Sequence, residues 1–286
     1  MTFGDPQIFP FNSCNDNELK NLETNDKPSD TEINNNVSPI IQAQISLNDD
    51  TDAALPINLP DCNSYSVEEF QNLTLNNSFN ILHTNVNGLE NKFDTIHEFL
   101  SNSNTLMDVI ALTETSLHSS DEYFRGNVTI ENYVEFSTPT NTRKGGTTIY
   151  VKDNYDVIER HDLKIINDHY ESVWVEIKNK KEKNIICGSI YRHPHDILNI
   201  FNNFVDYMDK TLNTIAQENK EIFICGDFNC DLLKADSNRN YSRFYELLSS
   251  FSIFPSITLP TRVTDVTRTI VDNIFTTITE KKIESG

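Results

Sequence analysis

Basic residues are scarce in this chain. Only 23 Lys and Arg stand against 43 Asp and Glu in 286 residues, a formal net charge of -20. An all-round basic surface for nucleic acid is therefore excluded, because phosphate contacts come from Lys and Arg. Hydrophobic residues reach only 37%, below the roughly 45–50% of ordinary globular domains, so part of the chain is expected to lie outside a packed core. No apolar run approaches the ~20 residues that span a bilayer. The start also lacks a basic stretch leading into an apolar one. The chain reads as soluble and intracellular, with no membrane partner. Its five cysteines, Cys14, Cys62, Cys187, Cys225 and Cys230, have no zinc-site spacing, and their odd number argues against a disulfide framework. Cys187 and Cys225 fall in apolar, strand-like runs and are expected to be buried free thiols in a reducing compartment.

The charge is uneven. Residues 1–77 hold 2 basic and 13 acidic residues, net -11; the rest hold 21 and 30, net -9. Residues 1–64 are rich in Asn, Asp, Ser, Thr and Pro and show no period of 2 or 3.6. Such a segment is expected to be disordered, since it buries too little apolar surface to offset chain entropy. A folded domain is expected over residues 65–286. Within it the apolar runs Phe79–His83, Val109–Leu112, Thr147–Val151, Val173–Ile177, Asn184–Tyr191, Ile222–Cys225 and Ile270–Phe275 read as strands. Phe93, Ile96, His97 and Leu100 recur at helical spacing. Ile197, Ile200, Phe201, Phe204, Met208, Leu212 and Ile215 mark a long amphipathic helix, and a further helix is expected near residues 242–250. Strands outnumber helices, which suits two packed sheets flanked by helices better than a strictly alternating parallel sheet.

Chemistry-bearing side chains gather where these strands end, the position at which loops present groups over a rigid base. Asn85 and Asn87 follow the first strand and Glu114 the second. Tyr191 and Arg192 close a later one, Asp227 and Asn229 follow another, and Asp272 sits in the last. Glu114, Asp227 and the amides of Asn85 and Asn229 are hard oxygen ligands of the kind Mg²⁺ takes alongside water. Tyr191 and Arg192 can donate to phosphate, Arg in a two-oxygen fork. Each has a plain structural reading too. Gly226-Asp227-Phe228-Asn229 is turn-forming, Asn85 and Asn87 before Gly88 suit an Asx-turn, and Glu114 could cap the next segment. Asp272 is harder to explain structurally, because an ionised carboxylate in an apolar stretch needs a partner.

The order of the motifs is more specific than any one of them. His83-Thr84-Asn85-Val86-Asn87-Gly88-Leu89, Ala111-Leu112-Thr113-Glu114-Thr115, Gly145-Gly146, Ser189-Ile190-Tyr191-Arg192-His193-Pro194, Gly226-Asp227-Phe228-Asn229, and Pro260-Thr261-Arg262 with Ile270-Val271-Asp272-Asn273-Ile274-Phe275-Thr276 resemble the successive motifs of LINE-type, CR1/Jockey-like non-LTR retrotransposon endonucleases. These are members of the endonuclease/exonuclease/phosphatase family. The resemblance begins near Tyr65 and implies a four-layered α/β sandwich, two central β-sheets flanked by helices. It implies a Mg²⁺ (or Mn²⁺) dependent hydrolase that nicks double-stranded DNA in the nucleus, the freed 3′-hydroxyl priming reverse transcription. Element RNA and a reverse transcriptase are the partners in full-length relatives.

By the same resemblance, Glu114 would be the main metal ligand, with Asn85 holding metal or phosphate. Tyr191 would bind the scissile phosphate and Asp227 would orient or deprotonate the attacking water. Asn229 would hold Asp227 and the phosphate, and Asp272 would orient a catalytic His. Arg192, Thr261 and Arg262 would touch phosphate or DNA, with Thr269 an alternative to Thr261. The chain departs from the pattern at its end. Relatives continue to a Ser-Asp-His motif and a last strand, whereas this sequence stops at Gly286. The fold is therefore expected to be incomplete at the C-terminus, with a sheet edge exposed and activity reduced or absent. The alternative expectation is a non-catalytic, transposon-derived remnant or interaction protein.

Overall fold

The computed structural model describes residues 6–12, 61–75, 78–118, 128–142, 144–180, 182–194, 197–278 and 283–286. Two β-sheets lie face to face between helices. The first is ordered β2(Asp61–Cys62)-β16(Glu284–Ser285)-β1(Pro6–Asn12)-β3(Phe79–Asn85)-β4(Val109–Thr113)-β6(Thr147–Lys152)-β5(Tyr133–Thr138). The second is ordered β12(Phe254–Pro255)-β15(Asp272–Thr276)-β11(Glu221–Asp227)-β10(Ile185–Arg192)-β9(Tyr170–Ile177)-β7(Val157–Glu159), with β8(Ile165–Ile166) also on β9. A separate hairpin pairs β13(Arg262–Val263) with β14(Arg268–Thr269).

Three apolar clusters make the layers. Ile81, Val109, Ala111, Ile149, Val173, Val175, Cys187, Phe223, Cys225 and Ile274 fill the space between the sheets. Helices α1(Val67–Asn72) and α2(Leu89–Ser101) cover the outer face of the first sheet through Phe70, Leu89, Ile96 and Phe99. Helices α3(Leu198–Ala216) and α4(Arg239–Ser250) cover the second through Phe201, Phe204, Met208, Leu212, Phe244 and Leu248. The expected sandwich is thus present. The two central strands of the second sheet, β10 and β11, are buried on both faces, which is why they read as continuous apolar runs rather than alternating ones. Cys187 and Cys225 are buried and free, as expected. Among the described residues no helix is long and apolar enough to cross a membrane.

The structure departs from the sequence reading at several points. Residues 6–12, inside the segment expected to be disordered, form β1, which pairs in parallel with the whole of β3. A strand that carries Gln7-Ile8-Phe9 can satisfy the backbone groups that β3 would otherwise leave open, so no exposed edge remains at β3. Pro10 donates no backbone hydrogen bond. It is tolerated because β16 reaches only Gln7 and Ile8 on the far side of β1. The rest of residues 1–60 lies outside the described residues. On α2 the buried face runs through Leu89, Ile96 and Phe99 rather than through His97, which is exposed. Strand β5 was not legible, because its residues are mostly half-buried and it closes an edge of its sheet.

Candidate active site

The site follows from the register of the strands. β3 and β4 run parallel and place Asn85 beside Thr113, the residue before Glu114. β10 and β11 also run parallel and place Tyr191 beside Asp227, while β15 runs antiparallel and sets Asp272 opposite Asp227. Five segments distant in sequence therefore end at one edge of the sandwich.

The Asn85 side chain closes the gap between the sheets. Its Nδ2 donates to Glu114 Oε1 on one sheet and to Asp227 Oδ2 on the other, each at 2.9 Å. Its Oδ1 accepts from the Asn87 backbone at 3.1 Å, so the Asx-turn reading of this segment also holds. The same is true of Asp227, whose Oδ1 accepts from the Asn229 backbone at 3.0 Å while Oδ2 faces Asn85. The turn is what aims the carboxylate.

Backbone strain concentrates here. Asn87, Glu114, Ser116 and Asn229 all have positive φ, with Glu114 at 51°. Asn tolerates this region; a Glu there must be held by its surroundings. Four backbone bonds do the holding. Gly88 and Leu89 N–H groups donate to the Glu114 and Thr115 carbonyls, and those of Thr115 and Ser116 donate to the Gly146 and Gly145 carbonyls. Gly145 and Gly146 themselves have φ of 128° and 81°, which explains the Gly pair that the sequence shows.

Negative charge is crowded. Burial pushes the Asp227 carboxyl up to about 6, with Glu114 adding to the rise and the Asn229 and Asn85 hydrogen bonds and Arg192 opposing it. Asp272 is driven well above the usual carboxylate range by burial and then by Asp227, with Thr261 opposing. Thr261 Oγ1 donates to Asp272 Oδ2 at 3.2 Å, so Thr261 rather than Thr269 is the supporting hydroxyl. The other oxygen, Asp272 Oδ1, is buried and has no hydrogen-bond partner among the described residues. The Tyr191 hydroxyl is raised above its ordinary value by burial and by Glu114, to which it hydrogen-bonds. Lys144 Nζ stands 3.9 Å from Glu114 Oε2 and is mostly exposed.

Not every sequence candidate belongs to this cluster. Arg192 was expected to meet phosphate, and the structure turns it away. It is 1% exposed, its Nε and Nη2 donate to the Phe228 and Asn229 carbonyls at 2.6 and 2.7 Å, and its guanidinium lies 5.2 Å from the Phe201 ring centroid. Alternation along β10 sets this: Tyr191 faces the inter-sheet layer, so Arg192 faces the helices. Its fork braces the Asp227–Asn229 turn from behind, and Asn229 Nδ2 returns a bond to the Arg192 carbonyl at 2.6 Å. Arg262 is exposed on the β13–β14 hairpin with Arg268, leading into Asp272. Sequence reading also missed Glu171 and Thr140, which pack behind Tyr191. A charged residue in the apolar β9 run was the available signal.

Could these groups hold a divalent ion? Among the described residues no cluster of three or more His, Cys, Asp or Glu forms a metal cage. Mg²⁺ does not need one, since it keeps several waters and takes one or two carboxylates. Glu114 keeps a mostly buried but solvent-reaching carboxylate at the mouth of the site, backed by buried carboxylates whose charge a cation would relieve. The donor set fits.

Comparison with known proteins agrees with this architecture. Residues 78–280 match the model of the Endonuclease/Exonuclease/phosphatase family. No curated protein matches the chain in sequence. Among solved structures, the AP endonuclease LMAP from Leishmania major is 13% identical with a TM-score of 0.55, covering 92% of this chain and 90% of that one. The Xenopus laevis APE2 catalytic domain is 15% identical with a TM-score of 0.52, covering 68% and 81%. The endonuclease domain of TRAS1, a telomere-specific non-LTR retrotransposon, is 15% identical with a TM-score of 0.49, covering 70% and 84%. With the match spanning most of the chain, with two sheets sandwiched between helices, and with the polar strand ends converging at one edge, this protein belongs to the endonuclease/exonuclease/phosphatase family.

Proposed function

We propose that the chain is a divalent-metal-dependent phosphodiester hydrolase that nicks double-stranded DNA, and that it serves target-primed reverse transcription in a CR1/Jockey-like element. Element RNA and a reverse transcriptase would be its partners, and the nucleus its place of action. The observation that carries the hydrolase reading is the Asn85 bridge, which joins Glu114 and Asp227 across the two sheets and gathers them with Tyr191 and Asp272 around one point.

Each side chain then has a task. Glu114 and Asn85 would hold Mg²⁺ or Mn²⁺. When bound, such an ion neutralises charge on a phosphate oxygen and on the departing alkoxide. Tyr191 offers a hydroxyl donor to a phosphate oxygen; held neutral by its surroundings, it keeps its proton. Asp227, poised near 6, accepts a proton from attacking water once ionised. Asn229 fixes Asp227 through the turn. The Asp272 Oδ1 atom is a ready acceptor for an imidazole N–H, as the motif resemblance requires. Positioning and charge neutralisation supply most of the rate in such chemistry.

DNA as the substrate is supported by the hairpin. Arg262 and Arg268 stand exposed beside the site, a local basic strip on an acidic molecule. The retrotransposon assignment is supported by the order of motifs along the chain.

The test is nicking of supercoiled plasmid with Mg²⁺ or Mn²⁺, by the chain alone and by the chain continued through a Ser-Asp-His segment and one further strand. Metal-dependent conversion to open circles, abolished by Glu114→Ala, is the expected result. No nicking by either form with any divalent ion, or a preference for inositol phosphates over DNA, overturns it.

A further inference from the structure

Behind Tyr191 lies a buried acid–base pair that the steps above do not use. Glu171 on β9 is the cross-strand neighbour of Tyr191 on β10, so both side chains face the layer between the sheets. Glu171 is fully buried. Its Oε1 accepts from Thr140 Oγ1 at 2.8 Å and lies 3.3 Å from His193 Nε2. Its Oε2 is also 3.3 Å from that nitrogen. The His193 ring stands edge-on to the Tyr191 ring, centroids 4.8 Å apart, and its backbone N–H is tied to the His169 carbonyl at 2.8 Å. Removing a carboxylate from water to this depth costs several kcal/mol, and such a group persists only with a charge partner and good hydrogen bonds.

The pair touches two parts of the site at once. On one side it supports the Tyr191 ring. On the other it meets the 140–146 loop: a Cβ on Gly145 would come within 2.6 Å of Glu171 Oε1, 2.8 Å of Thr140 Oγ1 and 3.0 Å of His193 Nε2. That loop's Gly145 and Gly146 carbonyls receive the Ser116 and Thr115 N–H groups at 2.8 and 3.3 Å. Those bonds come from the two residues that follow Glu114 and help hold its strained backbone.

We infer that Glu171 and His193 form a clasp that sets where Tyr191 and Glu114 meet. They are positioning residues, acting through the Tyr191 ring on one sheet and through Thr140 and Gly145 on the other, without contact to the reacting phosphate. The kinetic part of this inference rests on the hydrolase reading; the structural part does not.

Two measurements separate them. Hydrogen exchange is followed in the peptide covering residues 114–117 for the wild type, Glu171→Gln, Gly145→Ala and, as a control of matched stability, Leu248→Ala in the distant α4 core. Both clasp variants are expected to speed exchange there by about tenfold or more, through local opening that the control lacks. Exchange no faster than in the control overturns the clasp. In the nicking form of the protein, Glu171→Gln is expected to lower kcat by about tenfold or more, since sub-ångström misplacement acts on the chemical step, with KM nearly unchanged. In a Tyr191→Phe background, which keeps the ring and removes the hydroxyl, the same substitution should cost measurably less than in the wild type, the remainder acting through Glu114. A raised KM with intact kcat, or equal losses in both backgrounds, also overturns it. Faster exchange in a protein that never nicks supports the clasp and overturns the hydrolase reading instead.

Discussion

Replacing Asp227 with Asn should make the metal-free protein gain stability on the wild type as pH rises from acid to neutral. The Asp227 carboxyl sits at about 6 rather than 3.8, because burial penalises its charge and Glu114 reinforces the penalty. A rise of that size corresponds to roughly 3 kcal/mol. The sign follows from proton linkage. A carboxyl whose folded value is raised contributes its stability fully below the unfolded value, 3.8. That contribution is lost as pH rises through about 6. Asn cannot ionise, so the variant escapes the loss. It also points an NH₂ group toward Asn85 Nδ2, a pH-independent cost of about 1–3 kcal/mol. Comparing two pH values cancels that cost. For a domain of this size each kcal/mol moves Tm by roughly 2–4 °C. Between about pH 4 and pH 7 in chelator, the variant's Tm should therefore gain on the wild type by several degrees and up to about 10 °C. Asp272, raised in part by Asp227, adds in the same direction. The assay is thermal unfolding at both pH values, repeated at pH 7 with Mg²⁺, which should stabilise the wild type more than the variant. A Tm difference that is the same at both pH values refutes the electrostatic reading of the site.

Three further outcomes follow from the geometry. Asn85→Ala removes the donor that joins Glu114 to Asp227; nicking should fall on the order of 10²-fold. Because the Asn85 bond lowers the Asp227 value, the acid limb of the pH–rate profile should also move upward, and an unmoved limb would contradict the assignment. Arg192→Lys cannot reproduce the fork that serves two carbonyls, so denaturant unfolding should show a loss on the order of 2 kcal/mol; unchanged stability with weakened DNA binding would restore Arg192 to the phosphate. Arg262→Ala with Arg268→Ala should make the salt dependence of DNA binding shallower by about 0.9 for each phosphate the hairpin neutralises, and an identical salt slope would remove the hairpin from the interface.

The amino-acid sequence by itself determined the layers and named most of the side chains that the fold gathers at one edge. Apolar runs such as Ile185–Ile190 and Ile222–Cys225 read as buried strands, because they are short and rich in β-branched isoleucine. The 3.6-residue spacing from Phe201 to Ile215 had to be a covering helix. The polar residues that follow these runs named Asn85, Glu114, Tyr191, Asp227 and Asn229 before any contact was known. Tertiary structure decided the matters that depend on which strand lies beside which. Arg192 was placed on the far face by the alternation of β10, although it adjoins Tyr191 in sequence. Glu171 gained its place behind Tyr191 only through antiparallel register, and residues 6–12 found a partner only because β3 offered an open backbone. Local pattern records which face a residue needs, whereas pairing depends on hydrogen-bonding groups that are identical at every position and so leave little trace in the side chains.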